Sequence, residues 1–296
     1  MMKLEGTYTA IATPFSADAK SVDFEALDAL IDHQIKGGVT GLVPCGTTGE
    51  SPTLSHAEQR EVIARTIARA KGKVQVIAGT GSYSTDDAIE KSQHAEKAGA
   101  DAVMVVVPYY NKPTQEGLVR HFVAVAKSVR CPIVIYNIPG RTGIDLSVDA
   151  MARILDAAPN VLATKEATGN VIRAEQLAVR FGDRLTVLSG DDSLTLPMIA
   201  VGAKGVISVA SNVVPAEVSR ATALALAGDL APARAAHLKL LPLFEALFIE
   251  ANPGPVKAAL AHRGIGRDVL RLPMAPVTEA TKAKVLAALE AATGPR

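Results

Sequence analysis

The chain is poor in cysteine and has no long apolar run. Its two cysteines, Cys45 and Cys131, lack the spacing of a zinc or redox motif. We therefore predict two buried free thiols. The longest apolar runs, at 102–108 and 206–210, are far shorter than the roughly 18 residues that a membrane-spanning helix needs. No membrane association is predicted.

Excess charge of either sign is also missing. Lys and Arg total 31 against 30 for Asp and Glu, so no strong field would attract nucleic acid. The six histidines are scattered without an H-x-H or H-E-x-x-H pair, and no metal site is predicted. The first ten residues, MMKLEGTYTA, lack the apolar stretch of a signal peptide. We expect a cytoplasmic protein.

What the sequence does contain is an alternation of short β-branched runs and amphipathic stretches, which is typical of strand–helix units around a buried parallel sheet. Eight strands are predicted, at 8–14, 41–46, 75–81, 102–110, 132–139, 161–167, 185–190 and 205–211. Helices are predicted between them, at 24–36, 57–71, 86–98, 117–129, 148–158 and 171–181. Eight such units match a closed (β/α)8 TIM barrel, an α/β fold.

The alternative α/β architecture is an open, doubly wound sheet. Such a sheet carries a G-x-G-x-x-G turn after its first strand when it binds dinucleotides, whereas here the first strand runs into Thr-Pro-Phe-Ser at 13–16. We therefore predict a barrel over residues 1–228. Beyond it only helical periodicity remains, at 233–248, 256–261 and 279–291, so residues 229–296 are predicted to form a small C-terminal helical domain.

Lys165 is the most informative polar residue, because barrel enzymes place their reacting groups at the carboxyl ends of the strands. It interrupts the apolar segment that begins at residue 161. Burial favours the neutral amine, which is the nucleophile that forms a Schiff base with a ketone or aldehyde. The alternative is a structural ion pair, for example with Glu166, although adjacent residues of a strand point to opposite faces.

Other polar groups end neighbouring strands. Tyr136 closes strand five, next to strand six, and is either a proton shuttle for Lys165 or a core tyrosine with a satisfied hydroxyl. The Gly-Thr-Thr-Gly turn at 46–49 could form a small anion pocket or a proton relay. Arg141 follows a Pro-Gly turn and either clamps a carboxylate or stays solvated. The aspartates at 191–192 argue against a phosphate site.

Together these motifs resemble the class I pyruvate-dependent aldolases related to N-acetylneuraminate lyase. The resemblance runs in the same order from about residue 6 to 280. The motifs are GTTGES at 46–51, PYYN at 108–111, YNIPGRTG at 136–143, KEATGN at 165–170, SGDD at 189–192, GVIS at 205–208 and NPGPVK at 252–257.

The resemblance implies a reaction. The double threonine and Arg141 are similar to those of members that condense pyruvate with L-aspartate 4-semialdehyde to 4-hydroxy-tetrahydrodipicolinate, the first committed step of the diaminopimelate and lysine pathway. Lys165 would form the imine with pyruvate, without a metal or an organic cofactor. Thr48 would help to receive the pyruvate carboxylate, and Arg141 would hold that of the semialdehyde. Backbone groups of Gly190 and Ile207 would line the pyruvate pocket.

The resemblance also implies an assembly. Tyr136, Thr47 and Tyr110 would form the proton relay, with Tyr110 reaching into the site of a neighbouring subunit. The usual assembly of the family is a homotetramer, a dimer of dimers, and we expect the same here. Dimerisation would then be part of catalysis.

Two alternatives stay open beside this reaction. Sugar-acid aldolases and dehydratases of the same family share the lysine and the tyrosine, so these two residues indicate imine chemistry rather than one substrate. A catalytically silent binding protein that kept the fold would have lost Lys165, Tyr136 or Thr47, and all three are present.

Regulation is where the sequence departs from the family. In lysine-inhibited members, a histidine, an asparagine and a glutamate bind free lysine at the dimer interface. The matching positions here are Gln59, Tyr83 and Asp87. The sequence therefore predicts weak or absent feedback by lysine.

Overall fold

Eight parallel strands close into a barrel in chain order in this computed structural model, which describes residues 3–294. The first strand pairs with both the second and the eighth. Closure excludes the open sheet, and the predicted (β/α)8 barrel is confirmed. The strands are β1 (Gly6–Ala10), β2 (Gly41–Val43), β3 (Gln75–Gly79), β4 (Ala102–Val106), β5 (Ile133–Asn137), β6 (Val161–Glu166), β7 (Thr186–Ser189) and β8 (Gly205–Ser208).

Helices surround the barrel and continue after it. Their first turns are capped by Ser, Thr, Asp or Asn side chains in most of the long helices, and Ser55 and Glu58 form a reciprocal capping box. The helices are α1 (Phe24–Lys36), α2 (His56–Ala70), α3 (Thr85–Ala98), α4 (Gln115–Ser128), α5 (Pro139–Thr142), α6 (Val148–Ala157), α7 (Val171–Phe181), α8 (Thr195–Ala200), α9 (Pro215–Leu226), α10 (Leu230–Ala246), α11 (Gly254–His262) and α12 (Glu279–Thr293).

The observed strands are shorter than predicted at their carboxyl ends. Strand one is predicted to residue 14 and ends at Ala10, and strand two is predicted to 46 and ends at Val43. The residues beyond these ends leave the ladder and form the loops that surround the site. The short helices α5 and α8 were not predicted, because one turn of helix leaves no periodicity to detect.

Side chains of alternate strand residues fill the barrel interior. This inner cluster includes Tyr8, Met104, Tyr136, Leu188 and Ile207, all at most 4% exposed. The other face of each strand packs under the helices in a larger apolar cluster. Because both faces are buried, the strands form near-continuous apolar runs, and a lysine among them is conspicuous.

The two cysteines are free thiols, as predicted. Cys45 is buried, and burial raises the pKa of its thiol to about 12. Cys131 is only partly buried, which corrects the prediction for that residue, although burial also raises the pKa of its thiol to about 12. Neither group is a reactive thiolate near neutral pH.

Three helices, α10 to α12, follow the last barrel helix. Helix α10 packs on α9 and on α12. The division into domains at residues 228 and 229 stays a prediction, and its outermost residues, 1–2 and 295–296, lie outside the described ones. Within 3–294, none of the helices combines the length and apolarity that crossing a membrane requires.

Arg271 ties the C-terminal segment to the barrel. Its guanidinium binds both carboxylate oxygens of Glu58, at 2.8 and 2.5 Å, and donates to the carbonyls of Ala19, Lys20 and Thr53. Such a planar fork suits bidentate binding of a carboxylate. The contact fixes the start of α2 against the segment that follows α11.

This contact predicts a pH-dependent contribution to stability. The hydrogen bonds from Arg271 hold the pKa of Glu58 at about 2, below its ordinary 4.5. A depressed folded-state pKa stabilises the fold above the unfolded value and loses that effect as the pH falls. We expect Glu58→Gln to lower the free energy of unfolding by about 1–2 kcal/mol at pH 7, since the pair is partly exposed. Urea denaturation should show this difference shrinking between pH 4.5 and 2, and a constant difference would contradict the assignment.

Candidate active site

A cavity of about 240 Å³ opens at the carboxyl ends of strands β2 to β5, where a barrel enzyme would hold its substrate. We call it the rim cavity. Its polar lining comes from the loops after β2, β4 and β5. The lining residues are Cys45, Gly46, Thr47, Ser51, Pro52, Gly79, Gly81, Met104, Val106, Tyr109, Tyr136, Ile138, Arg141 and Thr142.

Lys165 and Tyr136 lie side by side on neighbouring strands. They are partners in the β5–β6 register, and both side chains are at most 4% exposed. The Lys165 amine, Nζ, lies 4.2 Å from the centre of the Tyr136 ring. Because Tyr136 lines the rim cavity, the amine lies next to one residue of the cavity wall.

Glu166 is not the partner of Lys165. It faces the other way and accepts a hydrogen bond of 2.9 Å from Arg173 Nε, with Asn137 Nδ2 at 3.4 Å. The structural ion pair considered from the sequence is therefore excluded, and the alternation of strand faces is confirmed. Within residues 3–294, Lys165 forms no ion pair with any carboxylate.

A second buried lysine serves as a comparison. Lys257 is paired with Glu50, donates to the carbonyl of Val269 at 2.8 Å, and lies 4.0 Å from the ring centre of Phe15. Burial lowers the pKa of Lys257, and the Glu50 carboxylate opposes that shift. Among residues 3–294, burial alone would thus select two lysines. The partners distinguish them, because only the amine of Lys165 lacks a carboxylate.

The loop after β2 carries both threonines. Thr47 lines the rim cavity, whereas Thr48 is buried and accepts a 2.9 Å hydrogen bond from Asn252 Nδ2. Cys45 and Glu50 flank the pair with positive φ values of 56° and 51°. Left-handed backbone is costly for residues with a side chain, so this loop is held by its surroundings in one conformation.

Arg141 lies at the mouth of the rim cavity. It sits on α5, a single turn that begins with Pro139 and is capped by Gly143, which has a φ of 73°. Its side chain is exposed and forms no hydrogen bond or ion pair to the other residues of the described chain. The guanidinium is thus available to a carboxylate that enters the cavity.

Tyr110 does not contribute to the rim cavity of its own chain. It is 90% exposed and has a φ of 69°. Its neighbour Tyr109 lines the cavity instead and contacts Tyr83 edge to face, with the ring centres 5.4 Å apart. The sequence did not single out Tyr109, since the two tyrosines are equivalent as a string and only the turn decides which one points inward.

Gly190 and Ile207 lie on the β7–β8 side, apart from the residues that line the rim cavity. The Gly190 amide donates to the carbonyl of Glu166 at 2.8 Å, and a Cβ at residue 190 would lie 2.5 Å from the Cβ of Ala167. Ile207 is fully buried in the barrel interior. Neither residue is among those that line the rim cavity.

Two aspartates follow Gly190 in the loop after β7. Burial raises the pKa of Asp191 and of Asp192, and the nearby positive charge of Lys165 opposes the rise in both. Oδ2 of Asp192 accepts hydrogen bonds from the amides of Val209 and Ala210, both at 2.9 Å. This loop thus joins β7 to β8 close to the lysine. In residues 3–294 no cluster of three metal-ligating side chains occurs.

Asn252 is the residue that sequence reasoning missed. It lies in the NPGPVK motif, but nothing in that string indicates a contact with residue 48, more than two hundred positions earlier. The only signal is the Asn-Pro-Gly-Pro turn itself, which marks a break before α11.

Comparison of this chain with known proteins points to one enzyme family. Residues 3–292 match the model of the dihydrodipicolinate synthetase family. The 4-hydroxy-tetrahydrodipicolinate synthase of Sorangium cellulosum is 59% identical over 97% of this chain and 96% of its own length, and that of Geobacter sulfurreducens is 49% identical over 97% and 98%. The solved structure of the same enzyme from Methylacidiphilum fumariolicum SolV superposes with a TM-score of 0.96 at 47% identity, covering 98% of this chain and 96% of that chain.

Proposed function

The chain belongs to the dihydrodipicolinate synthetase family, and from that membership we propose the reaction that it catalyses. It is a lyase of the class I aldolase type that condenses pyruvate with L-aspartate 4-semialdehyde to 4-hydroxy-tetrahydrodipicolinate, in the diaminopimelate and lysine pathway. The observation that carries the chemistry is the buried, unpaired amine of Lys165 against Tyr136.

The proposed reaction begins at Lys165. After losing a proton, its amine attacks the keto carbon of pyruvate, and water leaves as the imine forms. The protonated imine then withdraws electrons from the methyl carbon, which loses a proton to give an enamine. The enamine carbon attacks the aldehyde of the second substrate. The amine of that substrate finally displaces Lys165 and closes the ring, which regenerates the free lysine.

The other predicted residues keep their roles as part of the proposal. Tyr136 is supported as a proton carrier by its register with Lys165, and Thr47 by its place in the rim cavity. Arg141 is supported as the clamp for the carboxylate of the semialdehyde by its free guanidinium at the cavity mouth. We further propose that Thr48 donates to the carboxylate of pyruvate, and that backbone groups of Gly190 and Ile207 line the pyruvate pocket from the β7–β8 side, outside the lining of the rim cavity.

We propose that the chain works as a homotetramer, a dimer of dimers, in the cytoplasm. Tyr110 supports the dimer, because an aromatic side chain that is 90% exposed is available to complete the relay of a neighbouring subunit. The free thiols of Cys45 and Cys131 agree with a reducing compartment.

The substrate assignment is tested by a panel of aldehydes offered with pyruvate. We expect turnover with L-aspartate 4-semialdehyde and little or none with sugar aldehydes such as N-acetylmannosamine. Turnover of a sugar aldehyde or dehydration of a sugar acid, without the semialdehyde reaction, would agree with imine chemistry but would identify the chain as a sugar-acid aldolase or dehydratase. A chain that neither traps pyruvate nor turns over any aldehyde would overturn the enzymatic assignment.

Weak feedback by lysine is a further part of the proposal. Asp87, which replaces a glutamate of inhibited members, is already paired with Lys91 at 2.7 Å and with His56 at 3.3 Å. Gln59 is buried and donates to the carbonyl of Ser51 at 2.8 Å. A free lysine would have to break these contacts. We expect initial rates to be unchanged by submillimolar lysine, and half-inhibition in that range would contradict the prediction.

A further inference from the structure

Asn252 connects the C-terminal helices to the loop after β2. It precedes α11 on a cis peptide bond to Pro253, and its side chain is 5% exposed. Its Nδ2 lies 2.9 Å from Oγ1 of Thr48. A residue remote in sequence thus contacts Thr48 directly.

The polarity of this hydrogen bond has a consequence for Thr48. The amide nitrogen of Asn252 is a donor only, whereas a threonine hydroxyl both donates one hydrogen and accepts. When the amide fills an acceptor position of Oγ1, the hydroxyl hydrogen must point elsewhere. Among residues 3–294 no acceptor takes that hydrogen, so it remains available to a bound anion.

The loop itself is held by other contacts. Glu50 is paired with Lys257 and accepts from the amide of Arg271 at 3.1 Å, and the hydroxyl of Thr13 donates to the carbonyl of Gly49 at 2.7 Å. The backbone beside Thr48 therefore does not depend on Asn252. Within residues 3–294 the Asn252 side chain forms one hydrogen bond, to Thr48 Oγ1, and its buried Oδ1 has no partner.

We infer that Asn252 is a positioning residue that turns the Thr48 hydroxyl towards the carboxylate of pyruvate as a hydrogen-bond donor. The inference rests on the proposed function, because it requires pyruvate to be the anion that Thr48 receives. It assigns to the C-terminal helical segment a part in substrate binding.

The decisive variant is Asn252→Asp, which keeps the shape of the side chain and replaces the donor with an acceptor. The carboxylate would draw the Thr48 hydroxyl towards itself and away from pyruvate. We expect the KM for pyruvate to rise about tenfold, as for the loss of a hydrogen bond to a charged group, while kcat stays within about threefold. Asn252→Leu, which removes the donor without adding an acceptor, should raise the KM by about threefold.

Asn252→Asp in a Thr48→Val background distinguishes an effect through the Thr48 hydroxyl from direct repulsion of pyruvate by the new charge. Without the hydroxyl, the pyruvate KM should differ by less than about twofold between Asn and Asp at position 252. A tenfold difference that persists in this background would mean that the new charge repels pyruvate directly, and would overturn the inference. An unchanged KM in Asn252→Asp would overturn it as well, because Thr48 would then be donating to the amide oxygen.

Two controls complete the test. Asn160→Leu is the matched substitution, since Asn160 Nδ2 donates to the carbonyls of Ala126 and Val129 at the opposite end of the barrel. It should lower the melting temperature and leave the KM unchanged. Borohydride trapping at a series of pyruvate concentrations measures pyruvate binding without the second substrate. We expect it to rank the variants in the same order as their KM values for pyruvate. If the parent chain traps no pyruvate, the proposed function fails, and if only the variants rank wrongly, this inference fails.

Discussion

Replacement of Lys165 by methionine is expected to abolish both the pyruvate adduct and turnover. Methionine fills the volume of the buried side chain without an amine, so the barrel interior stays packed. No other amine lies in register with Tyr136 on the neighbouring strand. We expect kcat to fall by about 10⁴-fold or more, which is the scale for removal of a covalent nucleophile.

Intact-mass spectrometry after borohydride reduction measures the first effect. The parent chain should gain one reduced pyruvate, and Lys165→Met should gain none. Peptide mapping of the parent adduct supplies the control, because Lys257 is the other buried lysine and should remain unmodified. An adduct on Lys257, or one that survives in Lys165→Met, would contradict the assignment of the nucleophile.

Tyr136→Phe is expected to lower kcat by roughly 10²- to 10⁴-fold, the range for loss of a general acid–base group. The phenyl ring would keep the 4.2 Å contact with the Lys165 amine, so the packing of the lysine should not change. Only the hydroxyl group is lost. Pyruvate trapping should therefore still reach one adduct per chain, more slowly than in the parent.

Tyr109→Phe is the matched control, because Tyr109 lines the same cavity without being in register with Lys165. Its loss of a hydroxyl should change kcat by less than about tenfold. The comparison is made from steady-state kinetics with both substrates. An equal loss of kcat in the two variants would show that the effect is not specific to the Tyr136 hydroxyl. It would contradict the role of Tyr136 in the proton relay.

Much of the fold was predictable because its signals are local. Eight β-branched runs alternate with amphipathic stretches, and the order and number of strands follow directly from that period. The ends of the strands were not predictable, because residues 11–14 continue the apolar pattern after the ladder of β1 has stopped at Ala10. Those residues lie where the loops of the site begin. The wrongly predicted strand ends are therefore next to the site.

The candidate site was predictable one residue at a time but not in its contacts. A lysine in an apolar strand and a tyrosine at the end of the preceding one indicate imine chemistry from the sequence, and the structure places them side by side. The exposure of Tyr110 and the inward position of Tyr109 depend on a turn in which Tyr110 and Lys112 are both left-handed. No periodicity carries that information.

The sequence by itself determined the order of the barrel and the position of the amine, because both depend on neighbours within a few residues along the chain. The tertiary structure decided which partner each buried polar group has. Glu166 pairs with Arg173, Lys257 with Glu50, and Asn252 with Thr48. A buried charge or amide requires a partner, but the partner can lie two hundred residues away, where only the folded chain brings the two together.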